Sequence, residues 1–166
     1  FIGAIYEDMD SIGQALSYYS KTIEIAEMIE DEFALGQAYH NLANVYKAQG
    51  QTDSVFAYNM KALPYVRGDA DQVSYTEILA ICHADIAKYY LGKNQLGLAQ
   101  RYIDSAYNHV EESYNYRAEI LKIKAQIAQA SGKYQLAVHL FNQYDDIKDS
   151  LTSVNNSRHI NNLLEW

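Results

Sequence analysis

The sequence contains few of the residues that interrupt or cross-link a fold: it has one proline, Pro64, and one cysteine, Cys82. A single cysteine cannot form a disulfide within the chain. The scarcity of proline leaves long helices free to form, because proline is the residue that most disfavours a helix interior. Frequent Ala, Leu, Ile, Gln, Glu and Lys favour helices as well, so an all-α fold is predicted.

Basic charge and long apolar runs are also in short supply. The chain has 13 Lys and Arg against 21 Asp and Glu, a formal net charge of −8, without a basic cluster. Nucleic acids and anionic membrane surfaces attract proteins through a positive footprint, so neither is expected as a partner. The sequence has no apolar run of about eighteen residues and no signal-peptide pattern, so no direct membrane contact is expected either.

Residue sets that carry out chemistry are missing from the sequence. The histidines form no HExxH motif and no paired set of metal ligands, and there is no Gly-rich phosphate loop. Cys82 lies in an apolar stretch without basic neighbours, which predicts a buried, inert thiol. We therefore expect no metal, no cofactor and no enzyme activity. The histidines are His40, His83, His109, His139 and His159.

What the sequence does contain is a repeated pair of amphipathic helices. In the stretch 38–63, apolar residues recur at helical spacing on both sides of Gly50. The pattern around Tyr46 recurs around Tyr6 and Tyr90, and more weakly around Ala128, at intervals of about 40 residues. One such pair cannot cover its own apolar stripe, so the copies are expected to stack into a solenoid.

The repeated residues resemble the tetratricopeptide repeat (TPR), which combines small and aromatic residues on two helices joined at a glycine. IGAIY, LANVY and IAKYY carry the first-helix pattern, and GQTDSVFAYNMKAL, GKNQLGLAQRYIDSA and GKYQLAVHLFNQY carry the turn and second helix. The resemblance covers 1–150 and implies a right-handed α-solenoid of about three and a half repeats. The predicted repeats are 1–30, 31–67, 69–110 and 113–149, followed by a C-terminal helix, 151–166, that caps the solenoid or connects it to another domain.

The turns and the packing residues can be predicted from the same pattern. Gly50, Gly92 and Gly132 are expected to end first helices with a positive φ. The following helices have candidate N-caps at Thr52 or Asp53, at Asn94, and at Asp149 or Ser150 for the C-terminal helix. Small residues should allow close helix approach, and recurring tyrosines should fill the grooves between helices. These residues are Gly3, Ala15, Ala43, Ala62, Ala87, Ala99, Ala106, Ala125 and Ala137, and Tyr6, Tyr18, Tyr46, Tyr58, Tyr90 and Tyr102.

The resemblance implies a protein–protein interaction scaffold that binds a peptide or protein segment on the concave surface formed by the first helices. One TPR subgroup holds a terminal carboxylate with basic residues and an asparagine; Asn44 matches that asparagine, but His40 replaces its lysine. The mixed, weakly basic surface is compatible with a segment that carries some negative charge. The expected partner-binding residues are Gln37, His40, Asn44, Lys47, Lys88, Leu91, Lys122 and Gln126, with Ala84, Glu119 and Gln129 beside them.

The two ends of the sequence suggest its origin. The chain opens at Phe1 within a helical pattern, as expected for a piece of a larger protein. The segment after the last repeat is similar to the segment that closes TPR regions in bacterial membrane-associated signalling proteins, which implies a sensor or scaffold region, periplasmic or cytoplasmic. As an alternative, exposed repeat ends at Phe1 and Trp166 could dock a second copy, giving a structural homo-oligomer.

Overall fold

The computed structural model describes residues 12–66, 73–109 and 114–164, and side chains over 12–66, 76–109 and 116–153. Within these ranges the regular structure is entirely α-helical, which confirms the predicted fold class. The helices are α1 (Ile12–Met28), α2 (Glu32–Ala48), α3 (Thr52–Ala62), α4 (Val73–Gly92), α5 (Leu96–Asn108), α6 (Tyr114–Ala130) and α7 (Tyr134–Leu164).

The helices form antiparallel hairpins that stack in chain order. α2 pairs with α3, α4 with α5, and α6 with α7, while α1 packs on α2. The first helices α2, α4 and α6 also contact one another in sequence, so they form one row along the stack. This arrangement is the helical-repeat solenoid expected from the sequence. The residues predicted for the first helix of the first repeat, including Gly3 and Tyr6, lie outside the described residues.

Alanine keeps the helices close together throughout the stack. Because alanine ends at Cβ, the backbone of a neighbouring helix can approach and larger aliphatic side chains fill the remaining space. Ile103 of α5 and Ile120 and Ile123 of α6 do so in the largest core cluster. The alanines that were predicted to pack are all buried: Ala15, Ala43, Ala62, Ala87, Ala99, Ala106, Ala125 and Ala137.

The recurring tyrosines form equivalent stacks in successive hairpins. The rings of Tyr46 and Tyr58 are 5.2 Å apart at an interplanar angle of 10°. Those of Tyr90 and Tyr102, at matching positions in the next hairpin, are 5.6 Å apart at 24°. All four are half-buried between a first and a second helix, as predicted, whereas Tyr18 on α1 is exposed.

The turns inside the hairpins are closed by the backbone rather than by capping side chains. Gly50 and Gly132 have φ of +70° and +74°, as predicted, but at the α4–α5 turn Asn94 takes the positive φ, +56°, instead of Gly92. The N-caps of α3 and α5 are Gln51 and Gln95, neither of which caps through its side chain, so the caps predicted at Thr52, Asp53 and Asn94 are wrong.

A backbone hydrogen bond closes the C-terminal end of the first helix at both of these turns. The N–H of Gln51 donates to the carbonyl of Tyr46 at 3.0 Å, and the N–H of Gln95 donates to that of Tyr90 at 2.9 Å. These six-to-one bonds are the Schellman closure that a left-handed residue permits at a helix C-terminus. The turn geometry is therefore set by the end of the first helix.

The last helix is longer than the repeat requires. α7 runs for 31 residues from Tyr134 to Leu164, with no helix boundary at Asp149 or Ser150. The Ser150 hydroxyl donates to the carbonyl of Asp146 at 2.9 Å, a bond made inside a helix rather than at its start. Residues 151–164 of the segment predicted as a separate helix therefore continue α7, and the role of the segment as a cap or a connector stays a prediction.

Candidate functional site

A groove of about 310 Å³ runs along the row of first helices. We call it the first-helix groove. Buried apolar residues, among them Ala84 and Ile120, lie beside polar side chains in its wall. The lining residues are His40, Asn44 and Lys47 of α2, Ile81, Ala84 and Asp85 of α4, and Tyr116, Glu119 and Ile120 of α6.

A buried carboxylate, Asp85, joins three helices at one end of this groove. Its Oδ1 lies 2.5 Å from Nζ of Lys47 on α2. Its Oδ2 accepts a hydrogen bond from Nδ2 of Asn59 on α3 at 3.3 Å, and Asn59 is fully buried. Asp85 is only 5% exposed, and removing a carboxylate from water to this extent costs free energy unless the charge is paired and hydrogen-bonded. Lys47 and Asn59 meet that need, so the charge of Lys47 is largely committed to Asp85.

His40 forms a second polar contact set at the base of the groove. Asn44 Nδ2 lies 3.0 Å from His40 Nε2, and Cys82 Sγ lies 3.7 Å from His40 Nδ1. Burial lowers the pKa of His40, although the nearby carboxylate of Asp85 acts in the opposite direction. The imidazole is therefore neutral near pH 7, where its ring can accept from the Asn44 amide.

Cys82 is buried in the core, as the sequence predicted. Burial is also the main cause that raises the pKa of its thiol, with Asp85 acting in the same direction. Only the thiolate is a strong nucleophile, so the neutral thiol is poorly suited to chemistry. The pair of Cys82 and His40 therefore functions as packing and hydrogen bonding rather than as a reactive couple.

The structure brings together only part of the predicted partner-binding set. His40, Asn44 and Lys47 line the groove with Ala84 and Glu119, but each of the first three also has an internal partner. The other predicted residues lie elsewhere. Gln37 is exposed on α2, Leu91 packs on the α4–α6 core, Lys122 lies over the ring of Tyr144 at 5.9 Å, and Gln126 and Gln129 lie further along α6.

Four lining residues were missed by sequence reasoning: Ile81, Asp85, Tyr116 and Ile120. The two on α4, Ile81 and Asp85, could have been predicted, because they lie on the same helical stripe as Ala84, at i, i+3 and i+4. On α6 the prediction followed the stripe from Glu119 towards the C-terminus, whereas the groove uses the first turns of that helix. Which turns of α6 line the groove depends on how this helix packs against its neighbours, and the local sequence pattern does not contain that information.

A second depression, of about 370 Å³, lies on the other side of the Lys47–Asp85 pair. We call it the edge depression, because it lies between the α2–α3 turn and the C-terminal end of α4. Lys88, predicted for the concave surface, lines this depression and not the groove. Its lining residues are Lys47, Gly50, Thr52, Val55, Asp85, Lys88, Tyr89, Gly92 and Lys93.

A histidine pair lies between α4 and the end of α5, away from both depressions. The rings of His83 and His109 are 6.2 Å apart and nearly parallel, at 8°. Burial, with a smaller contribution from His109, lowers the pKa of His83 to about 4. No group of three or more His, Cys, Asp or Glu in the described part of the chain is placed to hold a metal ion. A membrane-spanning helix, long and apolar enough to cross a bilayer, is likewise not found there.

Comparisons with known proteins agree with this architecture. Residues 1–67 match the family model described as Tetratricopeptide repeat. The chain is also 27% identical over 93 residues to the transcriptional activator NprA of Geobacillus stearothermophilus, an alignment that covers 56% of this chain and 22% of the relative. The chain thus spans about a fifth of the length of the curated relative it matches. The match to the tetratricopeptide repeat model is confined to residues 1–67, and helical hairpins of the same kind continue from α4 to α7.

Proposed function

We propose that this chain binds a protein or peptide segment in the first-helix groove, as the interaction region of a bacterial signalling or regulatory protein. TPR proteins generally mediate protein–protein interaction and are generally not catalysts. The observation that carries the proposal is the groove itself, in which three successive first helices supply an apolar wall and open polar groups. An extended or helical segment could place alternate side chains in such a groove.

The charges in the groove indicate what kind of segment it favours. Asp85 holds Lys47, and His40 is neutral near pH 7. Glu119 is exposed and makes no ion pair with a described residue, so the open charge of the groove is negative. A segment with a Lys or Arg near Glu119 and an apolar residue near Ile81 and Ile120 fits best. The sequence alone had suggested a segment with some negative charge.

Display selection of random peptides against the whole chain tests this proposal. Peptides that bind the wild type should lose about tenfold or more in affinity for the double variant N44A/E119K, because the variant removes an amide and reverses the open charge. Glu24, exposed on α1, offers a matched control: E24K makes the same charge change outside the groove and should leave affinity within about twofold. Equal loss in both variants, or no loss in either, would contradict groove binding.

The regulatory part of the proposal is supported by the relative's name, transcriptional activator. The alignment covers 22% of that relative, so most of the relative has no counterpart in the aligned part of this chain. Sequencing the full-length parent tests this part. An adjoining DNA-binding, kinase or transmembrane segment would support a regulatory protein, whereas a free-standing scaffold would contradict it.

Self-assembly through the repeat ends is a second candidate, favoured by apolar side chains exposed on the first and last described helices. Met28 and Ile29 at the end of α1 are 79% and 65% exposed, and Tyr134 and Val138 of α7 are 67% and 60% exposed. Phe1 and Trp166, where docking was predicted, lie outside the described residues. Light scattering at increasing concentration tests this candidate, and a constant monomer mass at high concentration would contradict it.

A further inference from the structure

The edge depression gathers positive charge in a chain whose net charge is negative. Lys47, Lys88 and Lys93 all line it, while the chain as a whole carries a formal charge of −8. Opposite charge collected at one concave place on a protein attracts ligands of complementary charge and raises their association rate. The availability of each ammonium group therefore decides what the depression can bind.

Two of these three ammonium groups are available to a ligand. Lys47 is committed to the buried carboxylate of Asp85. Lys93 lies 3.4 Å from Asp53, with side chains 50% and 79% exposed, and its Nζ lies 5.1 Å from the centre of the Tyr89 ring. Contacts of an exposed lysine of these two kinds contribute little and exchange readily. Lys88 is exposed and forms no ion pair with any described residue.

The floor of the depression is apolar and its backbone is open. Val55 is buried there, and the half-buried ring of Tyr89 stacks on Phe56 with ring centroids 4.2 Å apart. Apart from neighbouring residues along the chain, no atom lies within 4 Å of where a Cβ would stand at Gly50 or Gly92. A ligand can therefore approach the main chain of both turns while it places an apolar group on Val55 and Tyr89.

We propose that the edge depression binds an acidic protein segment, in which Asp or Glu residues flank an apolar or aromatic side chain. The carboxylates pair with Lys88 and Lys93, and the apolar side chain covers Val55 and Tyr89. A polyphosphate chain such as a nucleic acid fits less well, because the overall negative charge of the protein repels it and the apolar floor makes no favourable contact with a phosphate. This site lies across the Lys47–Asp85 pair from the first-helix groove and does not depend on a ligand being bound there.

A defined peptide tests the proposal: an acetylated, amidated hexapeptide with two glutamates on each side of a Leu-Phe pair, labelled for fluorescence anisotropy and titrated with the whole chain. The wild type should bind it, and binding should weaken as salt rises. K88E and K93E should each weaken binding about tenfold, since each replaces an attractive contact by a repulsive one. D53N should strengthen binding about two- to threefold, because it frees Lys93.

Matched variants separate a local site from general electrostatics. Lys133 follows Gly132 in the next hairpin turn and is exposed but lines neither depression, so K133E should leave affinity within about twofold. D149N makes the same charge change as D53N on the exposed side of α7 and should have no effect. E119K, which tests the groove, should not reduce binding of this peptide.

The result from D53N cannot arise from unfolding, because it is a gain in affinity. Failure of the wild type to bind the peptide would overturn the proposal, as would equal losses in K88E and K133E. Tighter binding of a single-stranded oligonucleotide than of the peptide would also overturn it, in favour of a phosphate site. None of these results decides whether the first-helix groove binds its own segment.

Discussion

At the scale of single residues, small side chains at the helix crossings are as important for packing as the large apolar side chains. Ala99 is fully buried in the core cluster that α4, α5 and α6 share, next to Ile103 and Ile120. At this density even one added methylene must displace its neighbours. The stack therefore depends on alanine at the helix crossings.

We predict that Ala99→Leu lowers the free energy of unfolding by about 1–3 kcal/mol, because the added carbons overpack this crossing. Chemical denaturation followed by circular dichroism measures the change. Ala57→Leu is the control, since Ala57 is exposed on α3, and its effect should stay within about 0.5 kcal/mol. An unchanged midpoint for Ala99→Leu would rule out the packing role.

The buried His40 and the half-buried His83 make the stability depend on pH. Burial lowers the pKa of His40 from its ordinary value of 6.5, and lowers that of His83 to about 4. Each folded pKa lies below the unfolded one, so this contribution to stability is complete above about pH 6.5 and is lost as pH falls towards the folded pKa. Below that value both states carry the proton and the loss stops.

We therefore predict that the free energy of unfolding decreases steadily between pH 6.5 and about pH 4. His83→Gln should make the decrease shallower, because the residue no longer takes up a proton on unfolding. Denaturant titrations of the wild type and the variant at several pH values measure both slopes. Equal slopes for the two proteins would show that His83 does not contribute.

At the scale of the elements, the helix ends determine how the hairpins close. Gly50 and Gly132 adopt a positive φ, and the N–H of the residue that follows each glycine donates back to a carbonyl of the first helix. A side chain at such a position clashes with the backbone, even where the surrounding space is open. At the α4–α5 turn Asn94 adopts the positive φ instead, since asparagine tolerates this conformation better than most residues.

Gly132, which has a positive φ, and Gly97, which lies inside a helix, provide a test of this role of backbone conformation. Gly132→Ala should destabilise the protein by about 1 kcal/mol, because φ is +74° there. Gly97→Ala lies inside α5 with nothing within 4 Å of its Cβ position, and should stabilise by about 0.5–1 kcal/mol. Thermal unfolding of both variants measures the difference in sign. The same sign for both would mean that backbone conformation is not the controlling factor.

At the scale of the whole molecule, each hairpin is stabilised mainly by its neighbours. Separate core clusters lie between α1 and α2 and between α6 and α7, with a larger one shared by α4, α5 and α6. In repeat proteins of this kind, stability is close to a sum of repeat and interface terms, so local opening can occur at one end.

We predict that Leu140→Ala, which removes a buried side chain from the α6–α7 cluster, costs about 2–4 kcal/mol and speeds hydrogen exchange mainly in α6 and α7. Leu42→Ala is the mirror control, because Leu42 belongs to the α1–α2 cluster and should speed exchange there. Hydrogen exchange with mass spectrometry reads each helix separately. Uniform acceleration in both variants would show that the whole stack opens as one unit.

Much of this architecture could be predicted because it depends on local spacing. The helical period placed Ala43, Ala87 and Ala125 on buried stripes, and the turn positions of Gly50 and Gly132 followed from the end of each stripe. The errors concern features with a weak local signal. The N-caps of α3 and α5 are Gln51 and Gln95, each one residue away from the predicted Thr52 and Asn94, and no stop signal separates residues near Ser150 from the rest of α7.

The candidate sites were predictable only in part. Helical phase identified His40, Asn44 and Lys47 as neighbours on α2, which the structure bears out. Phase could not show that Asp85, which is 38 residues beyond Lys47, captures its charge. Nor could it show that Lys88 faces a different depression from Glu119. Those facts depend on how helices tilt against one another.

By itself, the sequence determined the helices, their pairing into repeats and the small residues at their crossings, because propensity and periodicity act over a few residues. Only the tertiary structure decided which polar groups are consumed internally and which stay open to a partner. The reason is that ion pairing and burial act between side chains from different helices, whose distances depend on packing rather than on sequence spacing. Asp85 shows this best: its pairing neutralises Lys47, and it stands at the boundary between a groove with an open carboxylate and a depression with open lysines.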